Sequence, residues 1–278
     1  MPLVDLKSVA DRLRAEGTGL GAFNVVHVET AEALVEAAER AQRPVVLQIS
    51  QNAVAFHHGR LEPIGAAALS VARSASVPVV VHLDHADDVE LIDQAVELGF
   101  TSVMYDGSRL PYDENLHVTK SVVRACRDKG VSVEAELGEV GGKDGVHAPG
   151  ARTEPEAAER FVETTGVDLL AVAVGSSHAM TERSAQLDLD LVADLAGALD
   201  VPLVLHGSSG VPDEGIVAAI RAGMTKINVS THLNVLYTGR VRQYLEQNPK
   251  VVDPRKYVRE GNAAVRDEVT RLLGLYVG

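Results

Sequence analysis

The chain has one cysteine, no tryptophan, an aromatic content of only 4% and too little positive charge, with 26 Lys and Arg against 39 Asp and Glu. Each scarcity excludes something. Cys126 has no internal partner for a disulfide, and its register with Val122 and Val123 on an apolar helical face predicts a buried structural thiol. A formal charge of −13 repels polyanions, which argues against a nucleic-acid or anionic-membrane partner and confines any phosphate binding to a local site. No apolar run reaches the roughly 18 residues of a membrane-spanning helix. No basic segment leads into an apolar stretch at the N-terminus, so the expected location is cytoplasmic. The G-x-G-x-x-G fingerprint is missing from the first strand–helix turn, which removes the main signal of a dinucleotide-binding sheet.

What is abundant is aliphatic. Of the 278 residues, 46% are hydrophobic, a balance suited to buried parallel strands covered by helices. Short aliphatic runs bounded by turn signals recur at 21–25, 45–49, 79–83, 102–105, 131–137, 169–174, 203–206 and 226–229. Amphipathic stretches such as 31–42, 89–98, 116–129, 154–164, 189–199 and 215–222 lie between them. Gly99, Gly130, Gly166 and Gly223 each close a helix just before a strand, and Pro44, Pro78 and Pro202 each precede one. Eight strands alternating with helices predict an α/β fold, a (β/α)8 TIM barrel. Residues 1–278 read as a single barrel domain with a helical tail from about 238, broken at 248–254. A short helix capped near Asp5 is expected to cover the barrel bottom.

In such a barrel the chemistry sits at the C-terminal ends of the strands. Strand three ends in His82-Leu83-Asp84-His85 and strand four in Tyr105-Asp106-Gly107-Ser108. Strand five carries Glu134 and Glu136, and strand six runs out to His178. Strand seven ends in His206-Gly207-Ser208-Ser209-Gly210 and strand eight in Asn228-Val229-Ser230-Thr231. His85, His178 and His206 occupy equivalent positions, and three imidazoles leave a coordination position open to substrate, the logic of a catalytic metal site. His27 and His232 also lie near strand ends, and His82 is either a partner to a ligand or a packed core residue. The glycine and serine loop after strand seven, with the strand-eight loop beside it, offers backbone N–H groups where barrels commonly bind phosphate.

With these motifs the sequence resembles the class II, metal-dependent ketose-bisphosphate aldolases, in the fructose- and tagatose-bisphosphate branches. The resemblance runs from Gly21-Ala22-Phe23-Asn24 to Asp253-Pro254-Arg255-Lys256-Tyr257. It implies a zinc ion on His85, His178 and His206, with Asp106 and Glu134 beside an alternative or second metal position. It implies Asp84 as the acid/base at the hydroxyl next to the cleaved bond. Gly207, Ser209, Asn228 and Thr231 would hold the phosphate of dihydroxyacetone phosphate, helped by a monovalent cation, with Ser50, Ser208 and Ser230 completing the substrate-binding set. The other product would be an aldehyde phosphate. Self-association as a dimer or tetramer is the family default. The rival route, a lysine Schiff base, has one candidate among seven lysines, Lys226, expected at the wrong end of its strand.

Three departures from the family pattern bear on substrate. Ala179 follows the sixth-strand histidine where a glycine is usual, and Arg183 stands near as a replacement for a missing lysine. The loop after strand five reads Gly141-Gly142-Lys143-Asp144-Gly145, which makes Asp144 the candidate second base. Gln51-Asn52 replaces an acidic residue and a glycine. For the second phosphate, Arg255 and Arg259 of the tail are the candidates, from this chain or a neighbouring subunit. Alternative readings are an aldolase for another phosphorylated sugar in a specialised pathway, or a non-catalytic barrel that binds phosphate ligands.

Overall fold

The aliphatic runs lie side by side in chain order. The computed structural model describes residues 2–137 and 152–277. Its parallel strands are β1 (Leu20–Asn24), β2 (Val45–Ser50), β3 (Val79–Ala86), β4 (Ser102–Tyr105), β5 (Ser132–Leu137), β6 (Leu169–Val172), β7 (Leu203–Leu205) and β8 (Met224–Val229). Pairing of β8 back onto β1 closes the barrel, as the strand spacing predicted. Around it run α2 (Val28–Ala41), α3 (Gln51–Phe56), α4 (Leu61–Ser74), α5 (Val89–Leu98), α6 (Tyr112–Arg127), α7 (Pro155–Thr165), α8 (Leu189–Ala198), α9 (Asp213–Ala222), α10 (Thr231–Gln247) and α11 (Pro254–Leu275). No helix among the described residues is long and apolar enough to cross a membrane.

Alternation along each strand separates two cores. Outward residues such as Leu47, Val81 and Ile227 pack under the helices. Inward residues Ala22, Val46, Val80, Leu169, Ala171 and Val204 form an apolar plug low in the barrel. The preceding helix α1 (Leu6–Glu16) seals that plug with Leu6, Val9, Ala10 and Leu13. Its first turn is capped by Asp5, whose Oδ1 accepts the Ser8 N–H at 2.8 Å. Above the plug the inward positions turn polar, with Gln48 beside His82 and Ser50 beside Asp84 in the β2–β3 register.

Gly99, Gly130, Gly166 and Gly223 all have positive φ (100°, 69°, 70° and 122°), as expected of caps that turn a helix back into the barrel. Cys126 is buried as expected, and burial pushes its thiol up to about 11. Other expectations need correction. β6 and β7 end earlier than the apolar runs suggested: Ala173 and Val174 bond to Thr153 and Asp188 outside the sheet, and His206 leaves β7 for the mouth. The tail helix begins at Thr231 rather than near 238, so its N-terminus belongs to the barrel mouth. Helices α3 and α4 stand between β2 and β3, although Leu61, Ile64, Ala68, Leu69 and Ala72 already carry a helical period.

The tail is pinned electrostatically. Glu268 Oε1 accepts hydrogen bonds from His232 Nε2 and Arg271, each at 2.7 Å, and Arg271 also reaches Asp213 of α9 at 2.6 Å. Burial alone would raise the Glu268 carboxyl, but the hydrogen bonds from Arg271 and His232 outweigh it and hold it at about 2. A carboxyl depressed on folding stabilises above its unfolded value, and that share is lost as pH falls from about 4.3 toward 2. Glu268→Gln should therefore cost about 1–3 kcal/mol at neutral pH and flatten the acid limb of the stability curve between those values. Urea titrations at pH 7 and pH 3 measure both. A variant as acid-labile as the parent would show that Glu268 does not set this slope.

Candidate metal centre and active site

His85 is the penultimate residue of β3, His206 directly follows β7, and His178 stands in the loop after β6. Ser176 donates its hydroxyl to the His206 carbonyl at 2.6 Å, which ties the His178 loop to the end of β7. The three rings meet edge to face, with centroids 4.4 Å (His85–His206), 5.0 Å (His85–His178) and 5.8 Å (His178–His206) apart. One nitrogen from each lies within 4.8 Å of the others. His85 Nε2 and His206 Nδ1 face each other at 2.8 Å.

This donor set fits a divalent ion. Zn–N bonds of about 2.0–2.1 Å in a tetrahedron separate ligand nitrogens by roughly 3.4 Å, so the facing pair need open by about 0.6 Å. The opposite nitrogens are each backed by a carboxylate, with His85 Nδ1 2.8 Å from Asp106 Oδ2 and His206 Nε2 3.0 Å from Glu134 Oε1. Such carboxylate–imidazole pairs fix which nitrogen points inward. Asp106 is itself held by the Ser108 hydroxyl at 2.6 Å. A second group of ligand atoms comes from His85, Asp106 and Glu136, and Glu136 Oε2 lies 3.5 Å from His206 Nδ1. Of the two glutamates on β5, Glu136 therefore faces the inner nitrogen of His206, whereas Glu134 stands behind that ring. His85 holds a left-handed backbone (φ 49°), rare for a residue with a side chain.

Asp84 is 2% exposed at the same strand end. Asn228 Nδ2 donates to its Oδ1 at 3.3 Å and Gln48 Nε2 to its Oδ2 at 3.4 Å. Asn24 Oδ1 in turn accepts from Gln48 at 2.8 Å. Burial raises the Asp84 carboxyl, against the lowering effect of His85 and Lys226. Asn24 and Gln48 are absent from the sequence-derived set, yet both are polar residues in the upper half of their strands, where the same strand-end rule applies. These groups open into a cleft of about 570 Å³.

Gly207, Ser209, Asn228, Ser230 and Thr231 all line that cleft, and α10 starts at Thr231 with no side-chain cap on its first turn. A helix N-terminus there directs N–H groups and the positive end of its dipole at a bound anion. Gly207 has φ +66°, and a Cβ on it would stand 2.7–2.8 Å from the backbone of Ser177, so only glycine fits. Ser208 turns away and donates its hydroxyl to the Asn228 carbonyl, bracing the two loops rather than lining the cleft. Ser50 lines the cleft and caps α3, its Oγ accepting the Ala53 N–H at 3.2 Å. Gln51 exchanges two hydrogen bonds with Asp87 across the rim, at 2.7 and 3.1 Å. Ala179 adopts φ +58°. That left-handed conformation costs a residue with a Cβ about 1–2 kcal/mol.

Several candidates lie elsewhere. Arg183 binds the Val211 carbonyl at 2.9 Å and Asp213 at 2.7 Å, away from the cleft, so it does not supply the missing charge. Arg255 and Arg259 are exposed on α11 over a separate groove facing Glu29, Glu32 and Glu36, and do not reach the cleft of their own chain. Asp144 lies outside the described residues. Arg109, in the loop after β4, is the only Lys or Arg among the described residues that line the cleft, and the sequence reading passed over it. His82 is buried with Nδ1 on the Ser102 hydroxyl at 2.8 Å, and burial holds its ring well below the usual histidine range. Lys226 has its backbone low in β8, as expected, but its side chain is fully buried, with Nζ 2.8 Å from Glu134.

The family model for class II fructose-bisphosphate aldolase matches residues 4–276. The YdjI aldolase of Escherichia coli K12 is 31% identical, with a TM-score of 0.84 over 99% of this chain and 97% of that one. A Coccidioides immitis protein described as a candidate fructose-1,6-bisphosphate aldolase is 29% identical, with a TM-score of 0.85 over 98% of this chain and 95% of that one. The fructose-bisphosphate aldolase of Campylobacter jejuni, at 24% identity and a TM-score of 0.82 over 99% and 95%, speaks to the fold alone.

Proposed function

The chain belongs to the class II fructose-bisphosphate aldolase family, a metal-dependent lyase that reversibly cleaves a ketose bisphosphate, and we propose how its barrel mouth divides that work. The observation that carries the reading is the meeting of three imidazoles, the buried Asp84 and the N-terminus of α10 around one cleft. His85, His178 and His206 hold the ion. A divalent ion there supplies Lewis-acid stabilisation of the negative charge that develops on the ketose oxygens as C3 and C4 part. Asp84 takes the C4 hydroxyl proton in cleavage and returns it in condensation. Asn228 and Gln48 hold the two carboxylate oxygens in place for that transfer. Gly207, Ser209, Ser230 and Thr231 seat the phosphate of dihydroxyacetone phosphate, and Asp144 exchanges the proton at C3. The protein works as a dimer or tetramer.

Among the described residues, Arg109 is the group that suits the phosphate on the aldehyde half. A charged hydrogen bond contributes about 1.5–3 kcal/mol. Fructose or tagatose 1,6-bisphosphate should therefore exceed the corresponding 1-phosphate in kcat/KM by roughly 10–100-fold. Arg109→Gln should bring that ratio close to unity without changing inhibition by dihydroxyacetone phosphate. An undiminished ratio in the variant would place the second phosphate on other residues. Comparing the two bisphosphates with each other identifies the sugar.

A further inference from the structure

One ion pair inside the barrel takes no part in the reaction just described. Lys226 rises from low in β8, where it pairs with Leu20 of β1 and Val204 of β7 at the level of the apolar plug. Its four-carbon stem lies along that plug and carries the ammonium up to the polar tier. There Nζ meets Glu134 Oε2 at 2.8 Å, with both side chains fully buried. Bringing two charges out of water costs several kcal/mol per ion, and aliphatic side chains would fill the same space without that cost. Stability alone is therefore a weak reason for the pair.

The other oxygen of Glu134 supplies a better one. Oε1 lies 3.0 Å from His206 Nε2, while His206 Nδ1 faces His85 Nε2 across the proposed metal position. A ring that ligates through Nδ1 carries its proton on Nε2 and donates it to Glu134. On the neighbouring ligand, Asp106 performs the same task for His85 beside solvent and a serine hydroxyl. Glu134 has no access to solvent, and its fixed countercharge is Lys226.

We propose that Lys226 is a positioning residue for the metal. Its pairing with Oε2 keeps Oε1 on His206 Nε2–H and so commits Nδ1 of His206 to ligation. This inference rests on the reading of His206 as a ligand. It also opposes the simpler electrostatic expectation, in which a buried ammonium repels a cation and its removal tightens binding. The sign of the effect decides between them.

The test is the zinc dissociation constant of the holoenzyme, read by competition with a chromophoric chelator, with circular dichroism to establish folding. Lys226→Met should weaken zinc binding by about 10–100-fold, the usual cost of losing an outer partner of a ligand. Glu134→Gln should also weaken it, and adding Lys226→Met to Glu134→Gln should weaken it no further. Unchanged or tighter binding in Lys226→Met overturns the proposal, as does an equal loss in both backgrounds. If the single variant does not fold, Glu134→Gln and the double variant decide. A double variant that binds as well as Glu134→Gln or better supports the role, and one tenfold weaker overturns it. His206→Ala separates the two readings. Wild-type affinity in that variant would mean the ligand assignment has failed, whereas loss of zinc there with Lys226→Met unaffected would mean only the positioning role has failed.

Discussion

Asp84→Asn is expected to lower kcat for bisphosphate cleavage by about 10²–10⁴-fold while the protein keeps its metal. The amide has the shape of the carboxylate and can retain contacts with Asn228 and Gln48 through its oxygen, so the cleft should keep its form. What it lacks is the capacity to take a proton. A group that acts only during the chemical step should show in kcat and not in KM. Steady-state kinetics together with elemental analysis for zinc check both halves. Unchanged turnover would remove Asp84 from acid/base duty, and loss of zinc would make it a structural support of His85.

The residues that carry this expectation show what a sequence can and cannot reveal here. Strand ends are local features, because an aliphatic run that stops at a polar cluster announces both the strand and its mouth. The convergence of His85, His206 and Asp84 on one mouth was legible for that reason, and His178 joins them from the loop beyond β6. Long side chains were not. Lys226 belongs to the bottom of β8 by backbone and to the polar tier by its ammonium, and strand position alone sends it to the wrong level. Contacts across strands are equally hidden, so the sequence could set Glu134 and Glu136 at the mouth but not distinguish which stands behind His206 and which faces its inner nitrogen. Arginines mislead in the opposite way. Arg183 invites a catalytic reading by its nearness to His178 in sequence, yet Asp213 holds it elsewhere, while Arg109 reaches the cleft from a loop that carried no signal of its own.

The other large effect concerns the metal itself. His206→Ala removes a fully buried residue, the proposed ligand, and leaves Glu134, Glu136 and Asn228 around a void. The loss of zinc affinity should well exceed the roughly 10–100-fold cost of losing an outer partner. Turnover should fall with it, since the developing negative charge then has no Lewis acid. The Schiff-base alternative predicts neither loss. Lys226 is badly placed for it, because its amine is fully buried against Glu134 at 2.8 Å and does not line the cleft where a ketose carbonyl would sit.

The most direct test of the whole account is a zinc titration of the metal-free protein with cleavage of fructose and tagatose 1,6-bisphosphates followed throughout. Activity on one of them should start at background, rise linearly to one zinc per chain and then level off, and borohydride added with substrate should trap no adduct. Full cleavage in the metal-free protein, or a borohydride-trapped adduct on Lys226, would contradict it.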